Sequence, residues 1–191
     1  MRRLRAVLAT LLVVGAVGLV AGAGTFAAFS ATSGNTGNTF AAGTVVLADN
    51  DAGSAMWGVT NQIPGGSVTK CIRLTYTGTL DASVKLYSAS AVNSVDQYLT
   101  LTVEKGSMPG ATAFPACTSF SSESTIYSGT IQGFKNSDNS YATGVAANPG
   151  AQTKWNQNDT LVYRFTVTLQ NNVGAQGLTS TTAFTWEARN Q

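Results

Sequence analysis

The chain has no histidine and only two cysteines among 191 residues. Without an imidazole it cannot build a Ser-His-Asp triad or a Cys-His pair to activate a nucleophile. Zinc sites draw mainly on His and Cys, and no HExxH segment is present. Charge is scarce as well, at 10% of residues. The nine acids, Asp49, Asp51, Asp81, Asp96, Glu104, Glu123, Asp138, Asp159 and Glu187, are scattered, and no local spacing among them predicts a working carboxylate pair. Beyond the N-terminal region no segment carries an apolar stripe at helical period, which argues against a helical bundle. These absences turn the reading away from catalysis and toward a binding or structural role, with no metal and no cofactor.

What is present begins with an export signal. Arg2, Arg3 and Arg5 precede the uncharged run AVLATLLVVGAVGLVAGA, Ala6 to Ala23. A basic start and a long apolar core read as a signal peptide, with a retained anchor as the alternative. Small-x-small rules offer two cuts. Thr25-Phe26-Ala27 would leave Ala28 first, and Ala28-Phe29-Ser30 would leave Ala31 first, the second fitting the rule better. Residues 1–27 hold three of the eleven basic residues, so the remainder has eight against nine acids and a net charge of −1. A basic footprint for nucleic acid is therefore missing from the exported part.

An exported chain with two cysteines is expected to pair them. Cys71 and Cys117 are 46 positions apart, and closing that loop is worth roughly 3–4 kcal/mol. Two separate buried thiols are the other reading.

The rest of the chain alternates like strands. In LVYRFTVTL, Leu161, Tyr163, Phe165, Val167 and Leu169 share one face, and Val162, Arg164, Thr166 and Thr168 the other. Ile72, Leu74 and Tyr76, Val84 and Leu86, Leu99, Leu101 and Val103, and Phe184, Trp186 and Ala188 repeat the pattern. GTVVLAD (Gly43 to Asp49), SAMWGVT (Ser54 to Thr60) and TIYSGTIQGF (Thr125 to Phe134) are further strand candidates. Gly, Pro and Asp turns separate these runs. Eight or nine short strands predict an all-β, jelly-roll-like antiparallel sandwich. Met108 to Phe120 and Lys135 to Trp155 read as long loops, and SVDQYL as a short helical turn. Trp57, Trp155 and Trp186 read as packing residues rather than a sugar platform, and Glu187 beside Arg189 as a solvated face. Asp49-Asn50-Asp51-Ala52-Gly53 looks like half of a calcium loop but lacks its closing Glu, so it reads as a turn.

A set of ordered motifs goes further. Gly24-Thr25-Phe26-Ala27 ends the signal, Ala28-Phe29 follows, and Phe40-Ala41-Ala42-Gly43-Thr44-Val45-Val46-Leu47 comes soon after. Asn61, Pro64 and Gly65 form a turn, and Phe184, Trp186, Glu187 and Ala188 lie in the closing strand. Together these resemble the TasA/camelysin family of exported bacterial proteins, in an actinobacterial-like member. The resemblance implies cleavage between Ala27 and Ala28 by a SipW-type signal peptidase, against the small-x-small preference. It implies three regions: a signal peptide, 1–27; a flexible N-terminal segment, 28–38; and a β-sandwich, 39–191. It further implies a secreted matrix protein that assembles with itself head to tail. The N-terminal segment of one copy would add as a strand to the next, Ala28, Phe29 and Ala31 marking the donor and Phe29 and Ala31 its inserted face. Other matrix proteins would be further partners, and no membrane contact would remain after cleavage. A monomeric surface or adhesion module using the Lys135 to Trp155 segment is the alternative. A camelysin-type metalloprotease comes third, because the chain lacks the usual zinc ligands.

Overall fold

The structure is a computed structural model that describes residues 30–31, 43–57, 62–110 and 112–191. Nine strands form two antiparallel sheets among the described residues. They are β1 (Ser30–Ala31), β2 (Leu47–Asp49), β3 (Ser67–Tyr76), β4 (Ala82–Tyr87), β5 (Leu99–Ser107), β6 (Ser121–Thr130), β7 (Val145–Ala146), β8 (Thr160–Leu169) and β9 (Thr185–Asn190). One sheet runs β2-β3-β8-β5-β6 and the other β1-β9-β4-β7. Apart from the neighbouring pairs β2–β3 and β5–β6, each strand is followed by one in the opposite sheet, as in the jelly-roll-like sandwich expected from the alternation.

β8 shows why the sequence folds this way. Its alternate residues Leu161, Tyr163 and Phe165 are buried, and the strand pairs with β3 from Thr75↔Thr160 to Ser67↔Thr168. On the outer face, hydroxyl pairs span the two strands, Ser67 to Thr168 at 2.5 Å and Thr69 to Thr166 at 3.1 Å, a favourable cross-strand arrangement. Ile72, Leu74 and Tyr76 of β3 and Leu101 and Val103 of β5 complete the inner face of this sheet. Val84, Leu86 and Ala188 face them from the other. Slipping any of these strands by one residue would turn its apolar set to water.

Cys71 and Cys117 are joined, with Cα atoms 5.2 Å apart. The bond fastens the Met108 to Phe120 loop over the outside of the five-stranded sheet. There Val162 is buried with Cys71 and Met108, so the second face of β8 is not wholly polar as its alternation suggests. The Arg73 guanidinium donates to Met108 O at 2.7 Å, and the Arg164 guanidinium lies 4.5 Å from the Phe120 ring centre. Both arginines thus serve as props for this loop as well as carriers of charge.

Several sequence expectations need correction. TIYSGTIQGF is not one strand: β6 stops at Thr130 and a helix, α1 (Ile131–Ser137), follows. Thr130 is its N-cap, its hydroxyl accepting from Gly133 N–H at 3.0 Å. Ile131 and Phe134, three residues apart, then share the buried face. Seven residues are too few to display a helical stripe in the sequence. The described part of SAMWGVT, 54–57, is not a strand, yet Met56 and Trp57 still pack on the core. The first strand candidate, Gly43 to Asp49, shortens to β2. The Lys135 to Trp155 segment is more ordered than a loop. It holds the end of α1, β7 and Trp155, which exchanges backbone hydrogen bonds with Ala82 at 2.8 and 3.0 Å. SVDQYL does form a single 3-10 turn, Asp96–Tyr98.

Candidate assembly edge

β9 is paired unequally on its two sides. Toward β4 it is matched along its whole length, from Tyr87↔Thr185 to Ala82↔Asn190. Toward β1 only Ser30↔Arg189 and Ala31↔Ala188 are matched. Thr185 to Glu187 therefore have no strand on that side among the described residues. Such a row of backbone donors and acceptors is a template for another strand.

A cleft of about 300 Å³ opens beside this stretch. Leu47, Asp49 and Leu74 line it from the five-stranded sheet, and Tyr87, Trp186 and Glu187 from the other. Below, Trp186 meets the rings of Tyr163 and Phe165 edge-on, with centres 5.5 and 5.9 Å apart. Among the described residues neither the Trp186 indole N–H nor the Tyr163 hydroxyl has a partner at full hydrogen-bonding geometry, although both are buried and they lie near each other. Burial pushes the Tyr163 phenol far above its ordinary value, against a lesser lowering by the Trp186 indole. Two unpaired donors are costly in such a place.

The rim is charged but tied down. The Tyr87 hydroxyl donates to Glu187 at 3.0 Å, and Arg189 Nε donates to the same carboxylate at 2.8 Å. The Arg189 guanidinium also lies 3.9 Å from the Tyr141 ring centre. Glu187 is only 8% exposed, which corrects the reading of a solvated face. Asp49 to Gly53 forms the expected turn: Asp51 N–H donates to Asp49 Oδ1 at 3.1 Å and Gly53 N–H to Asp51 Oδ1 at 2.6 Å. Ala52 and Gly53 both have positive φ, 52° and 77°.

Burial raises the Asp49 carboxyl above its usual value, and the Asp51 side chain adds to this. A raised carboxyl value means that the folded state holds the proton more tightly than the unfolded chain. Stability is then lost as pH rises from the ordinary carboxylate value through the raised one. Asp49→Asn removes the charge and is expected to raise the melting temperature at neutral pH, with no gain in acid. Thermal melts of both proteins across the acid-to-neutral range check this, and a loss of stability at neutral pH would refute it.

The family model for camelysin metallo-endopeptidases matches residues 3–100, just over half of the chain. The chain belongs to the camelysin family. No curated protein matches it. The match runs from the signal region into β5, so it covers the segment leading to β1 as well as β2, β3 and β4.

The metal named in the description of the camelysin family can be tested against the donors this member has. All nine carboxylates and both cysteines lie among the described residues, and no three of them come together as a metal-binding group. Both thiols are committed to the disulfide, and imidazole is missing from the sequence. The residues do not fit a zinc site of the usual donor set, and no step through a metal follows from them. Of the expected assembly residues, Ala31 lies on β1. Ala27, Ala28 and Phe29 lie outside the described residues. The proximity of Glu187 to Arg189 is visible in the sequence, but the hydrogen bond from Tyr87 had no sequence signal, because Tyr87 is a hundred residues away.

Proposed function

We propose that this camelysin-family chain is a secreted, non-enzymatic structural protein that assembles head to tail in the cell-surface matrix. One copy's N-terminal segment would pair with the β9 edge of the next. The observation that carries this reading is the antiparallel contact of Ser30–Ala31 with Arg189 and Ala188, beside a Thr185 to Glu187 stretch that has no strand on that side among the described residues. A strand continuing in that register would bring Thr32, Ser33 and Gly34 opposite Glu187, Trp186 and Thr185. Ala188 faces the core, and strand period would set positions 29 and 31 on its side.

Backbone hydrogen bonds would supply affinity and the cleft would receive side chains, as in other strand additions. Because the donor and the acceptor are different surfaces, the contact does not close on itself and generates a filament. The same segment can satisfy the edge within one chain, so assembly is an exchange of partners rather than a new kind of contact. The disulfide suits an oxidising compartment outside the cytosol.

Deleting Ala28 to Gly34 tests the proposal. The expected product is a folded monomer, because the core draws on β3, β4, β5, β8 and β9, and it should form no filaments under electron microscopy. Filaments from the deleted protein would rule out the donor-strand reading. A full-length protein that stays monomeric for days in seeded size-exclusion runs would favour an accessory surface module instead.

A further inference from the structure

α1 carries one charged side chain into the interior. The Lys135 ammonium and the Asp96 carboxylate are both fully buried, with Nζ 2.8 Å from Oδ2. Nζ also lies 3.3 Å from Oδ1 of Asn93, 3.0 Å from Ala91 O and 2.9 Å from Thr181 O. Four oxygens thus surround a group with three protons to give.

The Asn93 amide is held as firmly. Its Oδ1 accepts from Thr181 N–H at 3.0 Å, and the Ser180 hydroxyl oxygen lies 3.5 Å away. Ser180 hydrogen-bonds the other Asp96 oxygen. Asn93 N–H donates to Asp96 Oδ2 at 2.6 Å, and Asp96 N–H donates to Asn93 O at 3.0 Å. These bonds fix the turn that presents both side chains to Lys135.

A buried ion pair is weak evidence of stability, since apolar residues of the same volume often do as well. The company this pair keeps is chemical: an amine, a carboxyl within hydrogen-bond reach of it, and an amide whose oxygen already has a backbone donor in Thr181 N–H. That is the arrangement of a nucleophile, a general acid–base and an oxyanion site. We propose that Lys135 and Asn93 join in an intramolecular isopeptide bond, with Asp96 as the acid–base group.

The step balances without any co-reactant. A proton passes from the Lys135 ammonium to Asp96, and the freed Nζ lone pair attacks Cγ of Asn93. The oxygen of the tetrahedral intermediate is held by Thr181 N–H, which already donates to it in the amide. Asp96 gives its proton to Nδ2 and takes one from Nζ. The Cγ–Nδ2 bond breaks, ammonia leaves, and a secondary amide remains with Asp96 protonated beside it. Asn93 is half-buried and its neighbours Val92 and Ser94 are exposed, so the ammonia has a way out. The product ties the segment before β5 to the helix after β6, closing a covalent ring around both strands. This inference is independent of the assembly reading.

Tandem mass spectrometry of the protein as secreted, denatured, reduced and digested with trypsin, is the test. The expected species is the peptide 86–105 linked to 106–154, lighter than their sum by one ammonia and uncut after Lys135. Separate peptides, with cleavage after Lys135 and Asn93 at full mass, would overturn the proposal. A linked species lighter by one water would place the bond on Asp96 and overturn the assignment to Asn93. Asp96→Ala keeps both reacting groups, and it is expected to leave the two peptides separate. A cooperative thermal melt followed by circular dichroism shows that the variant has folded. A linked product from the folded variant would deny Asp96 its role.

Discussion

Trp155→Ala is expected to destabilise the domain by about 3–5 kcal/mol, as full truncation of a buried tryptophan does elsewhere. Trp155 is wholly inaccessible. Its indole N–H donates to Ala147 O at 2.8 Å, and its backbone is bonded to Ala82. The ring therefore fills the core and also satisfies a carbonyl in the segment after β7. Removing it opens a large cavity and leaves that carbonyl unpaired. At this chain length the melting temperature should fall by about 10 °C or more. Thermal melts followed by circular dichroism measure the shift.

A comparison with Trp57 sharpens the test. Trp57 also packs on the core, 5.7 Å from Phe165 and 5.6 Å from Phe184, but its indole N–H has no partner among the described residues. Phenylalanine at 155 loses a hydrogen bond, whereas phenylalanine at 57 loses an unsatisfied donor. Trp155→Phe should thus cost clearly more than Trp57→Phe, although both remove the same atoms. Equal costs would mean that the bond to Ala147 adds nothing.

The second large effect concerns Cys71 and Cys117. The double change to serine is expected to lower stability by about 3–4 kcal/mol, chiefly by freeing the unfolded chain from a long loop. Part of the loss should appear in the folded state as well. The loop that the bond fastens covers Val162, and without it the apolar contacts of Met108, Phe114 and Phe120, the Arg73 and Arg164 contacts and the Cys71 N–H to Pro115 O bond at 3.0 Å remain to hold it down. Urea unfolding with and without reductant, beside the double variant, measures the total. Limited proteolysis should cut first within residues 108–120 of the reduced protein. An unchanged urea midpoint after complete reduction would refute the estimate.

The sheets were legible because a strand half-buried on one face writes its burial into alternate residues. Leu161, Tyr163 and Phe165, or Ile72, Leu74 and Tyr76, could be placed from spacing alone, and all six are buried. What escaped was set by long-range packing or by chemistry too short to repeat. α1 is one cap and two apolar positions long, so Ile131 and Phe134 passed for the end of a strand. Val162 reads as outward until the disulfide folds a loop over it. Lys135 and Asp96, 39 residues apart, look like ordinary surface charges until α1 and the 3-10 turn meet. The assembly edge was legible only in part. Its apolar closing strand is plain in the sequence, but the lopsided pairing of β9 belongs to the topology.

The other long border of the molecule shows a contrasting solution. β6 lies at the rim of the five-stranded sheet and is ten residues long, SSESTIYSGT, with its first five residues exposed. Its exposed first five residues are serines, a threonine and a glutamate, and the β5–β6 register slips twice, at Val103/Glu104 and Lys105/Gly106. Bulges and a charge blunt an edge against unwanted pairing. A molecule with two inviting borders would grow sideways into sheets or tangled aggregates. On the proposed reading, with β6 dulled and β9 lacking a strand beside Thr185 to Glu187 among the described residues, copies would accumulate along a single line, and the thickness of what they build would stay that of one subunit.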